Sequence, residues 1–292
     1  MRVYRWEKWL LIIPTLFVVL LVFIFPLFYS VGMSVTSRNL LRPQLGTKFV
    51  GLENFIELTR DEEFAVAIKN TLYFTFGGIP VQLILGLSFA LLLNRRIPGI
   101  NAFRMVIVIP MIIAPLINSF AWLMIFQPSL SPITAILDLF RLDVEMPILL
   151  ASTKTVMPTL ITVSTYMATP FVALVLLAGL QSLPQEPFEA AKIDGASRWQ
   201  TLLLLTIPML KPAILVIIMI RVMDAMRSFD LFFVMTSGGP ANASMVLSLF
   251  NYEAMYHRLT QGYASAISVM TFAIIIILCI VLHRMTLRSD EG

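Results

Sequence analysis

Four charged residues of alternating sign recur at intervals of three within one apolar stretch; they are Arg221, Asp224, Arg227 and Asp230. A charge at the centre of a bilayer costs about 2.5–3.5 kcal/mol on insertion scales, so such residues usually face protein or water. The interval of three places opposite charges on adjacent turns of a helix. Two interpretations stay open: the charges pair with one another and hold helices together, or they line a path for a polar solute. Arg227 and Asp230 can also lie near an outer mouth.

A second pattern occupies the segment 181–212, which contains two serine–glutamine pairs with the spacing of a helix capping box. These pairs are Ser182 with Gln185 and Ser197 with Gln200. Gly195 lies between them and can end the first helix in the left-handed conformation. The segment therefore predicts a short helix over 188–193, a glycine turn, and a second helix toward residue 207.

The first short helix carries Glu189, Ala190 and Ala191. Small side chains let the surface of another protein approach the backbone closely, and the glutamate offers a fixed charge to a partner's Arg or Lys. The alternative is an amphipathic helix that lies against lipid head groups. Both interpretations remain open on physical grounds.

Residues for a metal site or a catalytic centre are not recognisable in the sequence. His257 and His283 are isolated and do not have the spacing of metal ligands. The single cysteine, Cys279, excludes an internal disulfide. We therefore expect a chain without catalytic residues, without a metal and without a cofactor of its own.

The composition predicts a membrane protein. Charged residues make up 13% of the 292 residues and hydrophobic residues 58%, whereas a typical soluble chain is about 25% charged. A soluble domain of this size cannot cover its surface with so few charges. The net charge of +4 is too small to predict nucleic-acid binding.

Six stretches are long and apolar enough to cross a bilayer as helices, which needs about 20 residues each. They are 10–33, 71–93, 103–126, 156–180, 212–235 and 263–283. The first is too long for the apolar core of a signal peptide, and no small-residue cleavage site follows it. The sequence therefore predicts an all-α integral membrane protein with six transmembrane helices.

The distribution of Lys and Arg predicts that both termini are cytoplasmic, because basic residues concentrate in inner loops. With that orientation the inner basic residues are Arg2, Arg5, Lys8, Arg95, Arg96, Arg104, Lys192, Arg198, Lys211, Arg284 and Arg288. The outer ones are Arg38, Arg42, Lys48, Arg60, Lys69, Arg141, Lys154 and Arg258. The inner set is larger and lies on shorter segments.

The 181–212 loop resembles the signature of the permease subunits of binding-protein-dependent ABC importers. That signature is E-A-A, three residues, G, nine residues, then I/L-x-I/L-P. The chain matches it with Glu189-Ala190-Ala191, Gly195 and the run Leu205-Thr206-Ile207-Pro208. Because the signature fixes identities over 20 positions, it is highly specific.

Two further segments are similar to the maltose-type sugar permeases in particular. The run 49–55 resembles the stretch that those permeases carry after their first span, and 228–231 with 235–240 resembles the signature at the end of their fifth. The resemblance implies a type I ABC importer permease fold in a bacterial inner membrane. It divides the chain into an N-terminal part, 1–69, with the first helix and outer loop, and a core, 70–288, with the 181–212 loop.

The resemblance also implies partners. Such permeases pair with a second, similar permease, and two ATPase subunits dock on their inner loops, while a solute-binding protein docks outside. The sequence has no G-x-x-x-x-G-K-[ST] phosphate loop. ATP and Mg are therefore expected in the partner ATPase, and this chain is not expected to be an enzyme.

The family places its membrane sugar site on the spans before and after the inner loop. The matching positions here, with the neighbouring Asp224, are Ser164, Met167, Ala168, Phe171, Arg221, Asp224, Ala225 and Ser228. Phe171 can stack on a sugar ring, and the two serines can bond its hydroxyls. Arg221 departs from an amide-rich site for neutral sugars and suits an anionic sugar derivative, unless a pair with Asp224 cancels its charge.

Three functions compete at this point. The first is a permease subunit of an ATP-driven sugar importer, and the second is a self-sufficient secondary transporter that uses Asp224 or Asp230 as a proton relay. The third is an intramembrane enzyme. The 181–212 loop favours the first, because a secondary transporter needs no docking loop of this form.

Overall fold

The structure, a computed structural model, describes residues 5–95, 98–129, 131–139 and 148–287. Arg2, Arg96, Arg141 and Arg288, which entered the comparison of loop charges, lie outside these ranges. Within the described part, the regular elements are helices, and a single bridge pairs Thr36 with Phe49. The prediction of an all-helical fold is therefore confirmed.

The α-helices are, in chain order, α1 (Arg5–Val19), α2 (Phe25–Ser34), α3 (Glu53–Arg60), α4 (Glu62–Leu93), α5 (Ile100–Ile112), α6 (Pro115–Phe126), α7 (Pro132–Leu139), α8 (Val156–Ser182), α9 (Glu186–Ile193), α10 (Arg198–Thr201), α11 (Ile207–Met209), α12 (Lys211–Met226), α13 (Asp230–Met235), α14 (Leu247–Tyr252) and α15 (Gln261–Leu287). Wider π-helical turns occupy Leu20–Ile24, Leu202–Thr206 and Glu253–His257, and Pro43–Leu45 forms a 3₁₀ turn.

Four continuous helical segments are long and apolar enough to cross a membrane. They are Ile12–Ser34, Glu62–Leu93, Val156–Ser182 and Gln261–Arg284. Two pairs of helical segments joined by a sharp bend reach the same length and hydropathy only when the two are taken together. They are Ile100–Ile112 with Pro115–Phe126, and Arg198–Met209 with Lys211–Met226. The described residues thus contain four candidate spans, or up to six if each bent pair counts as one.

The prediction of one continuous helix over 103–126 was wrong. The chain bends by 96° between α5 and α6, because Ile113 and Ala114 adopt extended backbone angles. Pro115 explains the break: its ring disfavours the helical conformation of the preceding residue. The bend leaves Pro110 and Ile113 facing open space that a straight helix would fill.

The prediction of one helix over 212–235 was also wrong. α12 ends at Met226, and α13 begins only at Asp230. The backbone N–H groups of Arg227 and Ser228 bond to carbonyls three residues earlier, which tightens the last turn. The Ser228 carbonyl then accepts from the Ser248 hydroxyl and no longer serves the helix ladder.

The chain forms two compact units. One comprises the described residues up to Ala65 together with Phe250–Ile274. In this unit, the Asn54 side chain donates to the carbonyls of Ser34 (2.7 Å) and Thr36 (2.9 Å). These bonds hold the segment 49–55, which the sequence singled out, against the end of α2.

The other unit comprises Val66–Leu249 and the described residues from Ile275. Its core is apolar and includes Ala90, Leu93, Val172, Leu176, Leu177, Leu210 and Ile217, all buried. The core joins α4, α8 and α12. These helices carry most of the residues that the sequence assigned to a solute path.

The helices α4 and α8 approach most closely at Gly86. A Cβ added there would lie 2.4 Å from Cγ1 and 2.8 Å from Cβ of Val172, which is fully buried. Small residues at such a crossing let membrane helices pack backbone to backbone.

We predict that Gly86→Ala destabilises the protein, because the methyl group overpacks the α4–α8 contact at a cost of about 1–3 kcal/mol. Adding Val172→Ala removes the clashing atoms and should restore part of the loss. Thermal unfolding of the purified protein in detergent measures both effects.

The control is Gly32→Ala in α2, where an added Cβ meets no atom within 4 Å. That change tests helix propensity alone, which favours Ala by about 1 kcal/mol. Equal melting temperatures for Gly86→Ala and the unmodified protein would show that the close approach does not limit stability.

Candidate functional site

The 181–212 loop folds as helix, glycine turn and helix. α9 ends where Asp194 and Ala196 donate their backbone N–H groups to the carbonyls of Ala190 (2.9 Å) and Ala191 (2.9 Å). Gly195 between them has φ +76°, in the left-handed region that glycine enters without strain. This is the predicted turn, and it is confirmed.

The two predicted capping boxes had different outcomes. Ser197 and Gln200 form a complete box, with bonds of 2.8 and 3.3 Å in the two directions. The box at Ser182 and Gln185 was wrong. Ser182 is the last residue of α8, and its hydroxyl donates back to the Gly179 carbonyl. α8 continues through Ser182 because the backbone becomes extended only at Leu183. Leu183 precedes a proline, which disfavours the helical conformation at that residue.

The loop presents an apolar surface next to its predicted docking residues. Glu189 and Ala190 are exposed, while Ala191 is half-buried. Ile193 and Trp199, which sequence reasoning missed, are 87% and 72% exposed. Large apolar side chains with this exposure are typical of a surface that binds another protein or the membrane interface.

A cavity of about 410 Å³ lies between α4, α5, α8 and the region from α12 to α13. All eight residues that the sequence assigned to a solute path line it: Ser164, Met167, Ala168, Phe171, Arg221, Asp224, Ala225 and Ser228. Arg227 and Asp230 line it as well. The structure therefore brings the predicted set together, while its role in binding stays a prediction.

The charges of the cavity form a chain of contacts. Asp224 accepts from Arg221 through one carboxylate oxygen (3.3 Å) and from Arg227 through the other (3.0 Å). The Arg221 side chain is only 13% exposed, whereas that of Arg227 is 68% exposed. Both pairs at spacing three, Arg221 with Asp224 and Asp224 with Arg227, exist as the first interpretation proposed.

Sequence reasoning missed Gln82, a buried residue of α4. Its side-chain oxygen accepts from Nε of Arg221 at 3.0 Å, although the two residues lie 139 positions apart. No periodicity links such distant residues. The available signal was a lone amide within an otherwise apolar span, which is costly in a membrane unless it has a partner.

A family model described as "Binding-protein-dependent transport system inner membrane component" matches residues 82–290. This range contains both the 181–212 loop and the eight residues assigned to a solute path. The chain belongs to this family.

Curated relatives agree with that assignment over nearly the whole chain. The trehalose/maltose transport system permease protein MalF of Thermococcus litoralis is 36% identical over 95% of this chain and 93% of its own length. The trehalose transport system permease protein SugA of Mycobacterium tuberculosis is 29% identical, over 97% and 89%. The sulfoquinovosyl glycerol transport system permease protein SmoG of Agrobacterium fabrum is 30% identical, over 98% and 95%. These relatives confirm the resemblance to the maltose-type sugar permeases.

Solved structures share the fold. A chain of a bacterial alginate ABC transporter, in complex with an alginate pentasaccharide-bound periplasmic protein, aligns with a TM-score of 0.82 at 20% identity, over 98% of this chain and 96% of that one. A chain of the MetNI methionine ABC transporter aligns with a TM-score of 0.52 over 82% and 97%. The chain is thus a binding-protein-dependent permease by family and an ABC transporter permease by fold.

In this permease we predict that the buried arginine contributes more to stability than the exposed one. Arg221→Met leaves the buried Gln82 oxygen without its partner and removes one of the two partners of Asp224, at a cost of about 1–3 kcal/mol. Arg227→Gln breaks an exposed ion pair worth about 0–1 kcal/mol. Thermal unfolding of the purified variants in detergent compares the two.

The two arginines serve as each other's control, since both contact the same carboxylate. A drop in melting temperature for Arg227→Gln that equals or exceeds the drop for Arg221→Met would contradict the assignment. It would mean that burial does not decide the strength of these contacts.

Proposed function

We propose that this chain is the transmembrane permease subunit of an ATP-driven ABC importer that moves a carbohydrate into the cytoplasm by alternating access. The observation that carries the proposal is the cavity. Eight residues chosen from the sequence as a solute path line one space between the helices that flank the 181–212 loop. Coupled transport requires that movement of the docking loop reaches the solute path. Here α8 and α12 connect the two.

The proposed topology has six transmembrane helices and cytoplasmic termini, in a bacterial inner membrane. The pair Ile100–Ile112 with Pro115–Phe126 then counts as one span, and in the second pair Lys211–Met226 crosses the membrane while Arg198–Met209 belongs to the loop. This orientation puts the 181–212 loop in the cytoplasm, where ATP is available. The division into an N-terminal part, 1–69, and a core, 70–288, stays part of this proposal.

The proposed assembly contains a second permease, two ATPase subunits and an external solute-binding protein. ATP and Mg belong to the ATPase subunits. The exposed Glu189 and Ala190 with the apolar Ile193 and Trp199 supply a charge and an apolar anchor for the ATPase surface. Closure of the ATPase dimer would draw the two permease loops together and turn the cavity from one side of the membrane to the other.

The proposed solute is a carbohydrate. Phe171 offers an aromatic face and the serines offer hydroxyls, the groups that suit a sugar ring. Two relatives are named for trehalose or maltose. An anionic sugar derivative is the second candidate, because Arg221 lines the cavity and one relative is named for sulfoquinovosyl glycerol.

The charge balance of the lining favours the neutral solute. Arg221 and Arg227 are matched by Asp224 and Asp230, so the lining carries no net charge from these four groups. The same balance weighs against a secondary transporter with Asp224 as a proton relay. Both carboxylate oxygens of Asp224 are engaged by arginines, so the side chain serves ion pairs within the protein.

The coupling role of the loop predicts opposite results for two substitutions of Gly195. An added Cβ meets no atom within 4 Å there, so only the positive φ limits the choice of residue. Gly195→Val should lower uptake at least tenfold, because a β-branched residue is strained at this φ. Gly195→Asn should keep most of the uptake, since asparagine tolerates it. ATP-dependent uptake by proteoliposomes measures both.

Crosslinking tests the contact itself. Cys279 is the only cysteine, so Cys279→Ala gives a background for single cysteines. Ala191→Cys should crosslink to the ATPase, and Lys48→Cys on the outer segment should not. A complex that transports normally and gives no crosslink from position 191 would sink the docking assignment.

The solute is tested by reconstituting the permease pair, the ATPase and the binding protein in proteoliposomes. Radiolabelled trehalose, maltose and sulfoquinovosyl glycerol are offered on the binding protein. We expect ATP-dependent uptake of a neutral sugar. Uptake of the sulfonated glycoside alone would select the anionic candidate. Uptake driven by an ion gradient, without the ATPase, would overturn the proposed function.

A further inference from the structure

The contact between Gln82 and Arg221 determines how the cavity presents its buried cation. Arginine carries five N–H groups in a rigid fork. Nε donates to Gln82 at 3.0 Å and one terminal nitrogen donates to Asp224 at 3.3 Å. Among the described residues no further hydrogen bond of this side chain occurs. Three N–H groups therefore remain for other acceptors, on a side chain that lines the cavity.

We propose that Gln82 is a positioning residue for solute transport, because it fixes the direction in which Arg221 presents its free N–H groups. This inference rests on the proposed function, since it assumes that the cavity is the solute path. Gln82 itself is only 3% exposed and does not line the cavity. It acts on the solute through Arg221 alone.

Asp224 cannot orient the arginine by itself. It lies on the same helix, one turn away, and it also binds Arg227. A guanidinium held at one terminal nitrogen can still rotate about that contact. The second bond goes to Gln82 on a different helix, α4, and fixes the plane of the guanidinium group.

A glycine on the same helix makes room for the Gln82 amide. One turn earlier on α4, a Cβ added at Gly78 would lie 3.3 Å from Nε2 of Gln82, closer than an ordinary contact. The glycine thus lets the buried amide lie along the helix, with its oxygen on Arg221.

A neutral amide is suited to this task. It fixes the arginine without cancelling its charge, whereas a carboxylate would add a second counter-ion. The arginine keeps its donor groups for sugar hydroxyls or for an acidic substituent. The class of ligand recognised is therefore one that presents two or more oxygen acceptors in a plane, as adjacent sugar oxygens do.

The experiment is a coupling measurement on the complete transporter in proteoliposomes. The panel sugars are trehalose, maltose and sulfoquinovosyl glycerol. ATP hydrolysis is recorded together with uptake of the panel sugar that the unmodified complex transports. Gln82→Leu should lower maximal uptake about tenfold, which is the effect of losing one hydrogen bond to a charged group. Basal ATP hydrolysis and the concentration of loaded binding protein for half-maximal uptake should change less than twofold. ATP consumed per sugar should then rise about tenfold.

Two further variants make the result specific. Gln82→Glu keeps the acceptor and should restore uptake to within about threefold of the unmodified complex. In an Arg221→Met background, Gln82→Leu should cause no further loss, because its effect passes through the arginine. The matched control is Thr75→Val, a buried residue of α4 whose hydroxyl bonds only within its own helix.

The outcomes separate this inference from the proposed function. A parallel fall in uptake, ATP hydrolysis and yield for Gln82→Leu would show a merely structural role and overturn the inference. An equal loss with and without Arg221 would do the same. If the unmodified complex transports no panel sugar in an ATP-dependent way, it is the proposed function that fails.

Discussion

The structure depends on one constraint: an arginine on an apolar helix must be held away from lipid, against acceptors of the protein and beside a cavity. Arg221 is nearly buried and lies in α12, which is part of a candidate membrane span. It obtains one acceptor from its own helix and one from α4. Since exposure to lipid would cost several kcal/mol, α4 and α12 are held in a single relative position. The core around Val172 and Ile217 packs within that arrangement.

The cavity follows from the same constraint together with two helix breaks. The chain bends before Pro115 and breaks again after Met226, and residues beside both breaks line the cavity. Such irregular backbone is tolerated at membrane depth where it lines a cavity. The arginine, its carboxylate and the serine positions then share a water-accessible space. Proline and charge thus create a cavity with polar lining residues within an apolar bundle.

Local signals in the sequence predicted much of this. The turn at Gly195 and the box at Ser197 and Gln200 depend on neighbouring residues only, so spacing was sufficient. The break before Pro115 was missed because hydropathy remains high across it, and a hydropathy pattern cannot detect a bend. The break after Met226 falls at Arg227 and Ser228, where polar residues already interrupt the apolar run. Gln82 could not be paired with Arg221 from sequence, since nothing local encodes a contact between two helices that far apart. The only indication in the sequence was that an amide within a membrane span is costly unless it has a hydrogen-bond partner.

Side-specific labelling tests the central claim, that the cavity is a water-filled path whose opening alternates. Ser164 lines the cavity, and Thr162, two residues earlier on α8, lines a separate apolar groove. Each is replaced by cysteine in the Cys279→Ala background and treated with a charged, membrane-impermeant thiol reagent. The account predicts that Ser164→Cys reacts from the inner side without nucleotide and from the outer side with ATP and vanadate, while Thr162→Cys reacts in neither state. Labelling of Ser164→Cys from the same side in both states, or equal reaction of Thr162→Cys, would contradict it.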